Sequence, residues 1–250
     1  MTGIGLLAGV ILAFASKFFA VPKDEKLEKI RACLPGANCG ACGFAGCDGY
    51  AEAIFKGEAE PDKCPVGGAA AAAALSEVLG VEIKSEKKVA FVRCQKACDA
   101  ATDYAYSGRM TCADAAALYG GPLSCKFGCI GMGDCADACE FNAISIVDGV
   151  AKVNKDLCAA CGKCVKVCPK GIIEIVKCDK TSVVACLNTQ KGAVARKNCT
   201  SACIGCMKCA KTCEAGAITI ENNLAKIDPE KCTACGKCIE VCPDKCITLK

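Results

Sequence analysis

The chain has no histidine and no tryptophan among its 250 residues, and the missing histidine rules out several kinds of site. A C-x-x-C-H haem, a Rieske centre and any Cys/His zinc finger all require it. It is also the commonest general base, and the sequence shows no nucleophile–base pair. A G-x-G-x-x-G turn between a strand and a helix is missing too. We therefore expect neither NAD binding nor a complete catalytic site in this chain.

Cysteine, by contrast, is abundant: the chain has 28. Most of them stand two or three residues apart in repeated blocks. That spacing suits a shared metal and does not suit the geometry of disulfide bonds. All-cysteine zinc sites and iron–sulfur clusters are the two candidates, and the arrangement of each block decides between them.

Residues 1–22 are predicted to form a transmembrane anchor. Apart from Lys17 this stretch is uncharged as far as Pro22, and about twenty residues can span a bilayer. Positive charge follows the run at Lys23 and Lys26 and does not precede it, which puts the rest of the chain in the cytoplasm. A signal peptide and a buried helix of a soluble protein are the alternatives, although the start lacks the positive charge of a signal peptide.

Residues 23–80 are predicted to form a small helical domain with one [4Fe–4S] cluster. Its expected ligands are Cys39, Cys42, Cys47 and Cys64. The first three form C-x2-C-x4-C in a glycine-rich loop, whereas a four-cysteine zinc site usually pairs two C-x2-C knuckles. Helices are expected over 49–55, which returns the chain to the fourth ligand, and over 69–79, with a glycine stop at Gly80. The charged segment 82–88 indicates a domain boundary.

Residues 181–250 are predicted to form a bacterial-type ferredoxin module with two [4Fe–4S] clusters. They contain two C-x2-C-x2-C-x3-C blocks, at 203–213 and 232–242. In such ferredoxins the fourth cysteine of each block ligates the other cluster. The expected ligand sets are therefore Cys203, Cys206, Cys209 with Cys242, and Cys232, Cys235, Cys238 with Cys213. Short strands that form hairpins over the clusters are expected at 217–220 and 247–249.

Residues 81–180 repeat this arrangement in a modified form. One block is complete, but in the other Met132 stands where a ligand belongs, and a thioether is a poor ligand for such a cluster. Cys125, four residues before Cys129, is the natural replacement. A three-iron centre or an empty site is the alternative. The expected sets are Cys125, Cys129, Cys135 with Cys168, and Cys158, Cys161, Cys164 with Cys139.

Two further cysteine pairs precede the modules and suggest a sixth cluster. Val92-Arg-Cys94 parallels Val184-Ala-Cys186, and Arg109-Met-Thr-Cys112 parallels Arg196-Lys-Asn-Cys199. We expect Cys94, Cys112, Cys186 and Cys199 to share one more [4Fe–4S] cluster between the modules, with a structural zinc ion as the rival. Six clusters would use 24 of the 28 cysteines. The remaining four are interpreted as free, small apolar side chains: Cys33, Cys98, Cys178 and Cys246.

Clusters also change the meaning of the formal net charge of +4, which counts cysteine as neutral. An all-cysteine [4Fe–4S] unit carries about −2, so six would bring the chain to about −8. Basic side chains are then expected to compensate clusters or to dock acidic partners, and not to bind nucleic acid. The docking candidates are the lysines beside the cysteine blocks: Lys163, Lys166, Lys170, Lys208, Lys211, Lys231 and Lys237.

Together these motifs resemble the B subunits of the Rnf complex, the ion-translocating ferredoxin:NAD oxidoreductase of prokaryotic membranes. The resemblance covers nearly the whole chain, from the N-terminal anchor through the loop of Cys39–Cys47 and Cys64-Pro65 to the two ferredoxin modules. The Gly-Asp dipeptide before Cys135 resembles the same modified block in that family. Glu140 departs from the pattern, since proline often follows the cysteine there; this loosens the turn but leaves the ligands in place.

The resemblance implies a subunit that accepts electrons from reduced ferredoxin and passes them towards membrane iron–sulfur, flavin and NAD-binding subunits. It implies a single-pass protein of the prokaryotic (inner) cell membrane, in a complex that couples NAD reduction to Na⁺ or H⁺ transport. The iron–sulfur subunit of another redox enzyme, soluble or corrinoid-linked, and a zinc-stabilised binding protein are the alternatives. The expected fold class is α+β: a transmembrane helix, a small helical [4Fe–4S] domain and two tandem two-cluster ferredoxin modules.

Overall fold

The computed structural model describes residues 24–83, 86–95, 100–179 and 181–249. Contacts divide them into two compact units: one comprises 24–64 and 70–83, and the other comprises the remaining described residues. No helix within these ranges combines the length and the apolar character that a bilayer span needs. The anchor predicted over residues 1–22 lies outside them.

Three helices build the first unit: α1 (Glu25–Ala32), α2 (Cys47–Phe55) and all but the first two residues of α3 (Gly68–Leu79). Asp24 begins α1 because its carboxylate accepts the N–H of Lys26 at 2.9 Å. The alanine-rich α3 stops where Gly80 takes a φ of +69°. Helices α2 and α3 confirm the two that the sequence predicts in this region.

The core of the first unit is small, and cysteines are part of it. Ile30, Tyr50 and Leu75 are almost completely buried, one from each helix. Cys47 is buried with them, and Cys42 and Cys64 pack against the same cluster. The apolar face of each helix therefore lies against the cysteine loop that it flanks.

The second unit contains two modules of similar order. The first module, residues 86–95 and 100–179, comprises β1 (Lys88–Val92), α4 (Cys112–Ala117), α5 (Asp134–Asp137), β2 (Ile144–Val147), β3 (Val150–Val153), α6 (Lys163–Val167) and β4 (Ile173–Lys177). The second module, residues 181–249, comprises β5 (Ser182–Val184), α7 (Gly192–Asn198), α8 (Lys208–Thr212), β6 (Ile218–Glu221), β7 (Leu224–Ile227), α9 (Lys237–Glu240) and β8 (Ile247–Leu249). Their elements are short because each cysteine block interrupts the chain after one helical turn or so.

All four sheets in the described residues are antiparallel strand pairs. The pairs β2–β3 and β6–β7 are hairpins, and both central residues of each turn have positive φ, Asp148-Gly149 and Asn222-Asn223. Turns of that kind match the right-handed twist of the strands. The sequence correctly predicts β6 and β8, but β8 pairs with β5 from the start of its module and not with a hairpin neighbour. Strand β4 pairs with β1 in the same way.

The two modules contact each other through specific groups. Arg93 follows β1, and its Nε donates to the carbonyl of Val184 in the second module at 3.1 Å. The same guanidinium forms an ion pair with Glu174 of β4 at 3.1 Å. Leu187 packs against the hydrophobic cores of both modules. The segments that follow β1 and β5 therefore meet at the junction of the modules.

Equivalent glycines in the two modules allow a cysteine loop to lie directly on a hairpin turn. Gly131 and Gly205 have φ values of +81° and +63°. A Cβ on Gly205 would lie 2.7 Å from the carbonyl oxygen of Asn223, and one on Gly131 would meet the backbone of Gly149. No side chain fits at either position, so the loop and the turn pack backbone against backbone.

Replacement of Gly205 by alanine should therefore destabilise the second module more than replacement of Gly216, its matched control. Gly216 also has a positive φ, +60°, but its Cβ would meet nothing within 4 Å. We expect Gly216→Ala to cost about 1 kcal/mol from backbone strain, and Gly205→Ala about 1–3 kcal/mol more from the clash. Denaturant titration of the anaerobic protein measures both; equal losses of stability would contradict the packing described.

Candidate metal centres

Three cavities in the second unit are each lined by at least four cysteines, which come from separate parts of the chain. Their cysteines are Cys203, Cys206, Cys209 and Cys242 in the first, together with Cys246; Cys139, Cys158, Cys161 and Cys164 in the second; and Cys112, Cys129, Cys135 and Cys168 in the third. Cys242, Cys139 and Cys168 each come from the other block of their module, whereas Cys112 belongs to no block. This is the exchange of the fourth cysteine that the block spacing predicts.

The size and lining of the cavities fit a group that is held by thiolate sulfur. Their volumes, including the space at their mouths, are about 330, 310 and 330 Å³. Their linings are otherwise mostly apolar side chains and glycine, so thiolate sulfur is the main donor that they offer to a metal. Within the described ranges no three Cys, Asp or Glu side chains converge as they would around a single metal ion. A four-iron cluster has four corners, so its ligands need not meet at one point.

Three cysteines of the remaining set of the second module also come together. Burial raises the pKa of the Cys238 thiol, and the neighbouring Cys232 and Cys235 thiolates raise it further. Cys213 packs against the hydrophobic core that contains Cys238. Cys235 is exposed, as is Cys206 in the partner set, so each expected set of this module has one cysteine that faces solvent.

In the first unit, two polar side chains arrange the cysteine loop. Asn38 Oδ1 accepts the N–H of Cys47 at 2.8 Å and so satisfies the start of α2. The Tyr50 hydroxyl donates to the carbonyl of Glu60 at 2.8 Å and accepts the N–H of Lys63 at 3.0 Å. Tyr50 thereby fixes the segment that leads directly into Cys64. Neither residue was expected from the sequence.

Burial raises the pKa of Tyr50 to about 12, and the negative charges of Cys64, Asp62 and Cys42 contribute to the same shift. The phenol therefore stays protonated and can go on donating its hydrogen bond at neutral pH. Cys42 and Cys64 act on the same phenol, so the loop and the returning segment lie close to one another. Cys39 is half-buried at the start of that loop.

The structure brings Cys112, and not Cys125, into the cavity of the modified block. Cys112 is the first residue of α4, which Thr111 caps, and Asp134 also contacts the start of that helix. The Asp134 carboxylate accepts the N–H of Cys112 at 2.7 Å and the N–H of Ala113 at 3.1 Å. Because Asp134 immediately precedes Cys135, this contact places Cys112 beside the block that has Met132 in place of a cysteine.

Cys125 lies elsewhere, at the junction of the modules. Its Sγ is 3.8 Å from Nδ2 of Asn188, a fully buried residue of the second module. The positions of Cys112 and Cys125 are thus exchanged relative to the expectation: Cys125 lies near Cys94, Cys186 and Cys199, and Cys112 lies in the cavity of the modified block. A shared spacing could have indicated this, since Cys125 precedes Cys129 by four residues and Cys199 precedes Cys203 by four.

The cysteines interpreted as free occupy different environments. Cys33 is half-buried, and its thiol donates to the carbonyl of Lys29 at 3.2 Å. Cys178 is half-buried at the end of β4. Cys246 is buried in the cavity of Cys203 and Cys242, with its Sγ 3.5 Å from that of Cys242. Cys98 lies outside the described residues.

The position of Cys246 allows its S–H to donate to a neighbouring sulfur, although either atom of the contact with Cys242 can be the donor. Hydrogen bonds with the Cys203 and Cys242 sulfurs raise the pKa of Cys246, so it keeps its proton. The same hydrogen bonds lower the pKa values of Cys203 and Cys242. The equivalent position in the first module is Ile172, which lines the cavity of the modified block. The two cavities therefore differ by one S–H donor.

Comparisons with known proteins agree with this arrangement. A family model described as a putative Fe-S cluster matches residues 34–66, and models of a 4Fe-4S dicluster domain match residues 128–172 and 199–249. They confirm an Fe–S domain and two dicluster domains in the predicted order.

Curated relatives match nearly the whole chain. It is 50% identical over 98% of its length to the B subunit of the Na(+)-translocating ferredoxin:NAD(+) oxidoreductase complex of Acetobacterium woodii, of which it covers 74%. It is 43% identical over its full length to the B subunit of the ion-translocating oxidoreductase complex of Methanosarcina acetivorans, of which it covers 96%. It is 38% identical over 97% to the B subunit of the proton-translocating ferredoxin:NAD(+) oxidoreductase complex of Clostridium ljungdahlii, of which it covers 88%.

Replacement of Cys246 by alanine should lower the reduction potential of the centre that Cys203 and Cys242 help to hold. An S–H donor stabilises the extra negative charge of the reduced state, so its loss is expected to shift the potential by tens of millivolts. Cys178→Ala is the matched control and should leave the potential unchanged. EPR-monitored redox titration measures the shift, with iron content as the check on loading; an unchanged potential in Cys246→Ala would contradict the role of the thiol.

Proposed function

The chain belongs to the family of B subunits of ion-translocating oxidoreductase complexes, and on that premise we propose that it carries electrons from reduced ferredoxin towards the membrane and flavin subunits of such a complex. It is an iron–sulfur electron-transfer subunit of an oxidoreductase. The observation that carries the proposal is the set of three cysteine-lined cavities of similar volume in tandem modules. A bound [4Fe–4S] cluster takes up and releases single electrons.

Five ligand sets follow from the sequence and from the positions of the cysteines. Three of them agree with the expected sets of the N-terminal domain and the second module, and one with the complete block of the first module. The fifth uses Cys112 in place of Cys125. The proposed sets are Cys39, Cys42, Cys47, Cys64; Cys203, Cys206, Cys209, Cys242; Cys213, Cys232, Cys235, Cys238; Cys139, Cys158, Cys161, Cys164; and Cys112, Cys129, Cys135, Cys168.

The backbone prepares these sulfurs to hold negative charge. Ala90 donates its N–H to Cys158 Sγ at 3.3 Å, and Ala143 donates to Cys139 Sγ at 3.4 Å. Cys129 and Cys203 stand at equivalent positions and each receives two backbone N–H donors, one from its own loop and one from the neighbouring hairpin. Such donors favour the more negative, reduced form and so raise the reduction potential.

The surface around Cys206 is the proposed docking site for ferredoxin. Cys206 is exposed, and the following Met207 is 50% exposed. Lys208 and Lys211 are exposed on α8, and no ion pair involves either of them within the described ranges. An acidic ferredoxin would meet positive charge beside a ligand that faces solvent.

Four of the other candidate lysines are already engaged. Lys163 pairs with Glu140, Lys231 with Asp228 at 3.6 Å and Lys237 with Glu214 at 2.5 Å. Lys170 Nζ donates to the carbonyl of Gly120 at 2.9 Å, and burial lowers its pKa. Lys166 on α6 is exposed, but its module offers no exposed ligand cysteine among the residues described.

The membrane role is also part of the proposal. The predicted anchor over residues 1–22 would hold the chain, in a single pass, at the prokaryotic cell membrane with its bulk in the cytoplasm. Membrane iron–sulfur, flavin and NAD-binding subunits would complete the reaction, because this chain shows no nucleotide-binding motif. The relatives from Acetobacterium woodii and Clostridium ljungdahlii are named for different ions, Na⁺ and the proton, so the coupling ion of this chain's complex is left open.

Charge reversal on α8 tests the docking site. Lys208→Glu/Lys211→Glu should raise the ferredoxin concentration for half-maximal reduction about tenfold at low ionic strength, and the difference should shrink as salt screens the charges. Stopped-flow bleaching of the cluster absorbance by reduced ferredoxin measures this. Lys155→Glu/Lys166→Glu makes the same charge change on exposed lysines of the first module and should have little effect. Equal effects of the two double variants would rule out α8 as the docking site.

Replacement of Cys112 tests the ligand of the modified block. Cys112→Ala should leave a three-iron centre or an empty site there, which EPR of the oxidised protein and iron analysis detect. Asp134→Ala should weaken the same centre, because Cys112 loses the carboxylate that positions it, whereas Lys208→Ala at the equivalent position of the second module should leave iron content unchanged. Appearance of the three-iron signal in Cys125→Ala instead of Cys112→Ala would favour the ligand set expected from the sequence.

A further inference from the structure

Four cysteines at the junction of the modules lie outside the five proposed sets: Cys94, Cys125, Cys186 and Cys199. We infer that they hold a further [4Fe–4S] cluster, shared equally by the two modules. This inference rests on the proposed function, to which it adds one site. The set differs in one residue from the one expected from the sequence, which contained Cys112 instead of Cys125.

The repeat supplies these cysteines as two equivalent pairs. Cys94 lies two residues beyond β1, and Cys186 lies two residues beyond β5. Cys125 and Cys199 each stand four residues before the first cysteine of a block. Cys112 has no such counterpart, because it begins helix α4, whereas Cys199 follows the end of α7. The parallel between the two Arg-x-x-Cys sequences is therefore not an equivalence in the fold.

Backbone pairing holds Cys125 and Cys199 on either side of one short segment. Ala100 forms an isolated bridge with Cys199, and the N–H of Ala101 donates to the carbonyl of Asn198 at 3.1 Å. On the other side the N–H of Ser124 donates to the carbonyl of Ala101 at 2.7 Å. The next residue along the chain is Cys125. Segments from both modules thus converge at these two cysteines.

Asn188 joins Cys125 to Cys186 across the junction. Its backbone N–H donates to Cys186 Sγ at 3.4 Å, and its Nδ2 lies 3.8 Å from Cys125 Sγ. The side chain is fully buried, and its Oδ1 accepts the N–H of Gln190 at 2.8 Å, which fixes the direction of the amide. A buried amide that donates towards sulfur is well suited to a thiolate. Nδ2 also lies 3.3 Å from Oε1 of Gln190, so its two protons can serve both acceptors.

Cys94 lies close enough to the other cysteines for their charges to affect its pKa. Burial raises the pKa of Cys94 to about 12, and the thiolates of Cys129, Cys125 and Cys199 add to the shift. The backbone supports the same placement. Cys94 follows Arg93, whose Nε donates to the carbonyl of Val184 at 3.1 Å, two residues before Cys186. This hydrogen bond holds the segment of Cys94 beside the segment of Cys186.

The position of the group favours a redox cluster over a structural zinc ion. The N–H of Cys129 bonds to the Cys94 sulfur, and the N–H of Cys203 donates to Cys186 Sγ at 3.4 Å. Cys129 and Cys203 are themselves proposed ligands of the neighbouring sites in the first and second modules. The group is thus linked by one hydrogen bond to a ligand of each module. A redox-inactive ion would interrupt this series of sites.

Iron analysis of paired variants of the full-length chain, purified without oxygen, tests the site. Cys125→Ala and Cys186→Ala should each lose about four iron and four sulfide per chain, and the double variant should lose no more than either single variant. Cys112→Ala/Cys186→Ala should lose about eight iron if the Cys112 site empties. Cys33→Ala/Cys178→Ala is the matched control and should keep the iron content of the parent. Zinc is measured in every sample.

Additive loss in Cys125→Ala/Cys186→Ala, or loss of zinc instead of iron, would overturn the inference. Cys186→Ser guards against misfolding, since it keeps a ligand atom and should alter one EPR signal only; unchanged EPR signals would also count against the site. A parent protein that contains about 20 iron and whose junction variants lose none would refute this site alone. A parent protein without iron would refute the proposed function as well.

Discussion

A thiolate that leaves water must exchange its hydration for a metal and for N–H donors, and the second unit is arranged around that requirement. The cysteine loops run close to hairpin turns, so that backbone N–H groups from two directions reach Cys129 and Cys203. Gly131 and Gly205 make that approach possible, because neither carries a side chain that would separate loop from turn. The short helices and two-stranded sheets follow from this close packing of cysteine loops against hairpin turns. Clusters supply the cross-links that a larger hydrophobic core would otherwise provide.

The second unit consists of two copies of one module, and this duplication explains both the regular arrangement of its cysteine blocks and the one block that departs from it. The modules share strand order, hairpin turns and the exchange of the fourth cysteine. Where the first module has Met132, the carboxylate one residue before Cys135 accepts the N–H of Cys112 and so brings that cysteine beside the block. Asp134 has Lys208 as its counterpart in the second module, where Cys206 is present and no recruitment is needed. In the proposed ligand set, Cys112 thus takes the place that Met132 leaves, through a contact between residues 22 positions apart.

Local spacing predicted much of the fold and of the sites. The C-x2-C and C-x3-C intervals fix which cysteines lie on one loop, and the helices α2 and α3 follow from their composition and from Gly80. The pairing of β8 with β5, the position of Cys112 and the contact of Asn188 with Cys125 depend on segments that meet only after folding. A match of residue letters, such as Arg-x-x-Cys, misled because it ignored where helices begin and end. The distance to the next block was the better guide.

The central claim is that the cysteines of this chain hold several four-iron clusters and not zinc or free thiols. Anaerobic purification of the full-length chain, followed by iron, sulfide and zinc analysis and EPR of the reduced protein, tests it directly. The account predicts about 20 iron and 20 sulfide from the five proposed clusters, and about 24 of each with the cluster at the junction of the modules. Stoichiometric zinc with at most about four iron per chain, and no EPR signal on reduction, would contradict it.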